Sequence, residues 1–187
     1  MTSTSMPLSD TGIIVGIDPG TKRIGYGVIV PDKKRFRFID AGLLIPLIPK
    51  ILDKKTLFSK IHASLQNIAI AHSPILIAIE RIYFGHNISS ALSVSEIRGA
   101  LSFMAQQFDI LIIDVHPTNV KQVICGYGHA DKTAVRKMVF QLITGIPKSL
   151  TSRDAIDALA IAMTGYYSFR GNAIIDKARK SGTTDTG

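Results

Sequence analysis

Ile13-Ile14-Val15-Gly16-Ile17-Asp18-Pro19-Gly20 runs through Thr21-Lys22-Arg23 into Ile24-Gly25-Tyr26-Gly27-Val28-Ile29-Val30, and this stretch decides the fold. The first apolar run is rich in β-branched residues and reads as a buried strand that closes on an acid. Residues 20–23 make a turn, and Ile24 to Val30 return as a second strand. Pro31-Asp32-Lys33-Lys34 turns again, and Arg35-Phe36-Arg37-Phe38-Ile39 alternates polar and apolar, the period of a strand with one solvated face. Three strands with tight turns make an antiparallel meander.

Outward from the meander the period changes. Leu57, Ile61, Leu65 and Ile68 recur at helical spacing, and His72-Ser73-Pro74 ends that helix. Ile75 to Glu80 is a fourth strand, apolar throughout as inside a covered sheet. A second helix contains Leu92, Ser95-Glu96, Gly99 and Phe103, with Val94, Ile97, Leu101 and Met104 on its apolar side. Ile110 to Val115 is a fifth strand. Helices follow over about 117–125, 131–144 and 152–168. The order predicts an α/β fold: a mixed five-stranded sheet, three antiparallel strands first, with helices on both faces. One domain is expected over 12–168. A loose N-terminus is expected over 1–11, and a loose tail over 171–187.

The chain has 187 residues, 46% of them hydrophobic, enough for one sizeable core. Lysine and arginine number 22 against 14 acids, a net charge of +8. That balance favours polyanionic partners, nucleic acid first and an anionic membrane surface second. Cys125 is the single cysteine, which excludes an internal disulfide and fits a reducing cytosol. Residues 1–11 lack a basic start and an apolar core, so no secretory signal is expected, and no run has the length of a membrane span.

Four carboxylates close or open the apolar segments: Asp18, Glu80, Asp154 and Asp157. Asp154 and Asp157 share one helix face, a turn apart, where like charges repel. Each acid alone has a plainer explanation. Thr151-Ser152-Arg153-Asp154 fits a capping box, Asp18-Pro19-Gly20 an ordinary turn, and Glu80-Arg81 a strand-end ion pair. Jointly they point elsewhere, because strands one and four can lie side by side with their acids adjoining. Hard divalent cations match such a donor set, magnesium first, with manganese as a substitute. Two magnesium ions can clamp the attacking and leaving oxygens of a phosphodiester in line. Zinc is disfavoured, since no cysteine pair exists and His62, His72, His86, His116 and His129 are scattered.

At this point the chain resembles the RuvC family of Holliday-junction resolvases, which have an RNase H-like fold. The matching pieces are Gly16-Ile17-Asp18-Pro19-Gly20 with Gly25-Tyr26-Gly27-Val28; Ala78-Ile79-Glu80 with Ala91-Leu92 and Arg98-Gly99; Val120-Lys121-Gln122 with Gly126 and Gly128; Asp131-Lys132; and the run from Asp154 to Ala162. They stand in family order over about residues 12–166. The resemblance implies that Asp18, Glu80, Asp154 and Asp157 are catalytic magnesium ligands. It also implies that Lys121 and Lys132 lie close to the DNA backbone at the cut. Tyr83, with Phe84 beside it, matches an aromatic that stacks on bases near the junction centre. The turn Thr21-Lys22-Arg23-Ile24-Gly25 departs from the pattern. It is more basic than usual and resembles the turn of the YqgF family, whose members are linked to ribosomal RNA processing.

The expected activity is magnesium-dependent resolution of four-way DNA junctions by paired symmetric nicks, in DNA recombination and repair. Two symmetric cuts require two sites related by a two-fold axis, hence a homodimer. The resemblance implies that the second helix, about 89–105, forms its interface, and that RuvA and RuvB are branch-migration partners. Lys22, Arg23, Lys33, Lys34, Arg35, Lys121 and Lys132 are candidates for phosphate contact. The alternatives are an RNase H-like nuclease acting on structured RNA and a junction-binding protein that does not cut.

Overall fold

The computed structural model describes residues 12–48, 53–81 and 88–182. Strands β1 (Ile14–Pro19), β2 (Ile24–Asp32) and β3 (Arg35–Ile45) form the meander. Helix α1 (Lys54–His72), strand β4 (Leu76–Glu80), helix α2 (Ile88–Gln107) and strand β5 (Leu111–Val115) follow. The chain ends with α3 (Pro117–Cys125), α4 (Lys132–Leu142), β6 (Ile143–Thr144) and α5 (Arg153–Gly182).

The sheet order is β5-β4-β1-β2-β3-β6, with β1, β2 and β3 antiparallel and β4 and β5 parallel to β1. The mixed sheet with helices on both faces is as the sequence predicts, with a sixth strand added. That strand is two residues long and pairs with Phe36 and Arg37 of β3, where Thr144 Oγ1 donates to the Phe36 carbonyl at 3.1 Å. Strand β3 runs on to Ile45 rather than stopping at Ile39, through a register shift opposite Val28 and Ile29. The helix expected to end near 168 continues to Gly182, so the tail expected to be loose from 171 is helical that far.

The central strands are buried on both faces, and their side chains alternate between two cores. Ile14, Leu76 and Ala78 join α3, α4 and α5, with Val120, Val135, Val139, Ile156, Leu159 and Met163. Val15, Ile17, Ile77 and Ile79 join α1 and α2, with Ile61, Leu65, Ile68, Ile97 and Leu101. The apolar side read for α2 is therefore core: Ile97, Leu101 and Met104 are buried.

Helix α5 lies unusually close to the sheet. A Cβ on Gly16 would collide with the Ala158 carbonyl, and one on Gly25 with the Asp154 carbonyl. Ala155, Ala158, Ala160 and Ala162 are fully buried on the helix side. Small residues on both partners let backbone meet backbone, and this brings the first turn of α5 down beside the end of β1.

Candidate metal-dependent nuclease site

Asp18 is the penultimate residue of β1 and Glu80 the last of β4. These strands pair in parallel, Ile17 opposite Ile79, so the two acids follow at adjoining strand ends. Asp18 also pairs across to Gly25, the residue on which the backbone of Asp154 rests. Two sheet registers and one close helix contact thus bring Asp18, Glu80 and the α5 acids to one end of the sheet.

The electrostatics follow from that gathering. Asp18 is pushed up to about 6, first by burial, then by the charges of Asp157 and Asp154, with Lys132 opposing. Glu80 is pushed up to about 7 by burial, then by Asp18 and Asp157, again against Lys132. Burial also raises Asp157, while Lys132 pulls it back. The acids therefore share one field, a cost that a cation placed among them would convert into attraction.

The chain's own cations already touch the helix pair. Arg23 Nε stands 2.7 Å from Asp154 Oδ2, and Lys132 Nζ stands 3.7 Å from Asp157 Oδ2. Among the described residues, no three His, Cys, Asp or Glu side chains close into a shared coordination sphere. The donor chemistry nonetheless suits a hard divalent ion, with carboxylate oxygens throughout and no thiol pair.

The sequence-derived candidates separate on the structure. Lys132 opens α4 behind the Asp131 cap, whose Oδ1 accepts from Ala134 N at 2.7 Å, and it joins the acids. Lys121 lies on α3 and makes no ion pair with a carboxylate among the described residues. Lys22 is exposed in the turn, and its carbonyl accepts from Ile48 N at 2.7 Å. Tyr83 and Phe84 lie outside the described residues.

Lys33, Lys34 and Arg35 do not belong with the carboxylates. Asp32 pairs with Arg35 at the hairpin, whereas Asp18 pairs with Gly25, so the hairpin lies at the opposite end of β2. At about 3.3 Å per residue, the separation is roughly 20 Å.

One local reading also changes. Ser152, not Thr151, caps α5, its Oγ accepting from Ala155 N at 3.4 Å, and the Asp154 carboxylate turns to Arg23 instead of closing a box. His116, one of the scattered histidines, caps α3, its Nδ1 accepting from Thr118 N at 3.2 Å. The Arg23–Asp154 pair was not visible in sequence. Its one signal is the unusual basicity of the turn after Asp18.

The family model "Crossover junction endodeoxyribonuclease RuvC" matches residues 14–165. A protein of that name from Carboxydothermus hydrogenoformans is 35% identical over 158 residues, covering 84% of this chain and 98% of the relative. Its counterpart from Syntrophomonas wolfei is 32% identical over 170 residues, covering 90% of this chain and 97% of the relative. Among solved structures, T. thermophilus RuvC in complex with a Holliday junction substrate superposes with a TM-score of 0.78 at 27% identity, covering 86% of this chain and 96% of that one. The yeast mitochondrial resolvase Ydc2 shares the fold, with a TM-score of 0.59 at 15% identity, covering 84% and 80% of the two chains. A catalytic-looking acid cluster on an α/β sheet thus meets a sequence match across nearly the whole described core, and the chain belongs to the RuvC family of crossover junction endodeoxyribonucleases.

Proposed function

We propose that this chain is a Holliday junction resolvase that hydrolyses DNA phosphodiesters at the end of the sheet where Asp18, Glu80, Asp154 and Asp157 gather. The observation that carries the reading is the register of β1 and β4, which sets Asp18 and Glu80 side by side beneath the first turn of α5. The four carboxylates would hold a divalent metal, magnesium by the hardness of the donors, and two ions per site by their number. Such ions supply an activated water and charge stabilisation at the leaving oxygen.

The chain's residues do the rest. Asp18 and Glu80 stand on rigid strand ends and would hold the metal ion that receives the reacting phosphate. Asp154 and Asp157 approach from α5, whose height above the sheet is set by Gly16 and Gly25. Lys132, exposed beside Asp157, faces the place where negative charge grows as the bond breaks. Lys121 approaches the backbone from α3, and Tyr83 and Phe84 stack on unpaired bases at the junction centre.

A two-fold substrate needs a two-fold enzyme, and α2 offers the surface for a homodimer. Leu92 and Phe103 project from it with 58% and 64% of their surface exposed, although the helix's inner side is already used by the core. RuvA and RuvB are the proposed partners in branch migration, and the cytoplasm is the proposed location. Among the described residues no helix is long and apolar enough to cross a membrane.

The test is a cleavage assay on a synthetic immobile four-way junction, with and without magnesium. Paired symmetric nicks are expected only with the metal. Asp154→Asn should abolish cleavage while junction binding persists, because it removes a metal ligand and no basic contact. A preference for structured RNA, or full cleavage by that variant, overturns the reading.

A further inference from the structure

The turn between β1 and β2 holds a guanidinium on a residue proposed as a metal ligand. Arg23 Nε lies 2.7 Å from Asp154 Oδ2, with 54% of the arginine side chain exposed and 27% of the aspartate. The turn is fixed from several sides. Gly20 N donates to the Asp18 carbonyl at 3.1 Å, Ile48 N donates to the Lys22 carbonyl at 2.7 Å, and a Cβ on Gly20 would press on the Arg23 carbonyl. Gly25, two residues on, carries the backbone of Asp154. These contacts hold the backbone around Arg23 and leave its half-exposed side chain as the part placed to exchange partners. A guanidinium and a dication compete for the same carboxylate oxygen, and the dication has the greater charge.

We propose that Arg23 is a metal-released phosphate ligand: it occupies Asp154 in the resting chain, and a divalent ion that takes over Asp154 frees it to grip a backbone phosphate beside the scissile one. This rests on the metal-dependent reading of the site. Two observations support the exchange. The ion pair sits directly on a metal-ligand candidate, and the backbone beside Arg23 is held by the Ile48–Lys22 hydrogen bond. The freed side chain suits its second partner, since a planar fork of donors matches phosphate oxygens as well as it matches a carboxylate. Arg23 would then be a positioning residue first and a substrate contact second. Substrate grip would be made conditional on metal by one side chain.

The test uses the full chain and Arg23→Gln, with Arg23→Lys as the charge-retaining control and a thermal melt to verify folding. Calorimetric titration with manganese alone, without DNA, should show Arg23→Gln binding the ion up to about fivefold more tightly, the scale of an exposed ion pair. Affinity for a four-way junction should be the same for both proteins in EDTA. In calcium, with the junction verified uncut, Arg23→Gln should bind about fivefold more weakly, one phosphate contact's worth. Arg23→Lys should fall between. Equal weakening with and without the ion would make Arg23 a permanent phosphate contact and overturn the exchange. So would manganese affinity that is unchanged or reduced in Arg23→Gln. Absence of metal-dependent nicking by the unsubstituted chain is a separate failure, that of the nuclease reading itself.

Discussion

The two faces of the sheet are packed by opposite means. Against α1 and α2, large branched side chains fill the interface: Val15, Ile17, Ile77 and Ile79 against Ile61, Leu65, Ile97 and Leu101. Against α5, glycines meet alanines and backbone rests on backbone. A side-chain layer can give by rotamer changes and small shifts, whereas two backbones in contact cannot. The rigid face is the one that carries Asp154 and Asp157. Both faces bury an apolar core, but only the α5 face also fixes the position of the acids.

The comparison breaks most visibly at Gly25. Gly25→Val places a branched side chain against the Asp154 carbonyl, so α5 must lift. A misplacement near 1 Å at a reacting centre costs about a hundredfold in rate, and overpacking costs about 1–3 kcal/mol of stability. Nicking rates normalised to folded protein should show the first, and a denaturant melt the second. Normal cleavage by this variant would end the distinction between the faces.

Leu65→Ala probes the other face. Leu65 is fully buried in the α1 and α2 core, and its truncation should cost about 2–5 kcal/mol. Cleavage per folded molecule should stay within about twofold, since none of the four site carboxylates stands on that layer. A rate loss as large as that of Gly25→Val would show both faces to be equally bound to the chemistry.

The acids at the strand ends give a pH signature. The folded values of Asp18 and Glu80, about 6 and about 7, lie above their ordinary 3.8 and 4.5. The folded chain therefore binds protons more tightly than the unfolded chain. This contribution is fully present below pH about 4 and is lost as pH rises to about 7. In EDTA the melting temperature of Asp18→Asn should fall less across that window than that of the unsubstituted chain. Magnesium should raise the unsubstituted chain's melting temperature at pH 7 and above. Identical pH profiles for the two proteins would remove the shared field.

The smallest effect belongs to the cap of α5. Ser152→Ala removes the side-chain acceptor for Ala155 N and should cost about 1 kcal/mol in a thermal melt. Its cleavage rate should fall by less than that of Gly25→Val, because the sheet contact and not the cap sets the helix's height.

Much of this architecture was readable because its signals are local. The four acids stood out by ending or opening apolar runs, where burial makes a charge costly. The helix at 117–125 was bounded by His116-Pro117 and by Gly126, which adopts a positive φ of 85° as the helix stop. What was missed needed three dimensions. Two residues are too few for β6 to show a period. The register shift at Val28 and Ile29 hid the second half of β3. Beyond 170, α5 has too little apolar patterning to stand out. Tertiary placement alone decided that Arg23 faces Asp154 and that Lys33, Lys34 and Arg35 lie at the far end of β2 from the acids.

Strand β3 lies next to the margin of the sheet, with only Phe36 and Arg37 clipped by β6. Further along, Ser64 of α1 donates to the Leu44 carbonyl at 3.1 Å, meeting a polar group that the ladder leaves over. Arg35 and Arg37 put charge on the same strand. An unguarded margin of this kind recruits strands from other molecules, and short pairing, charge and a covering helix are the usual deterrents. Truncations or insertions around 143–150 would uncover it, and their first symptom would be self-association in concentrated stocks rather than slower DNA cutting.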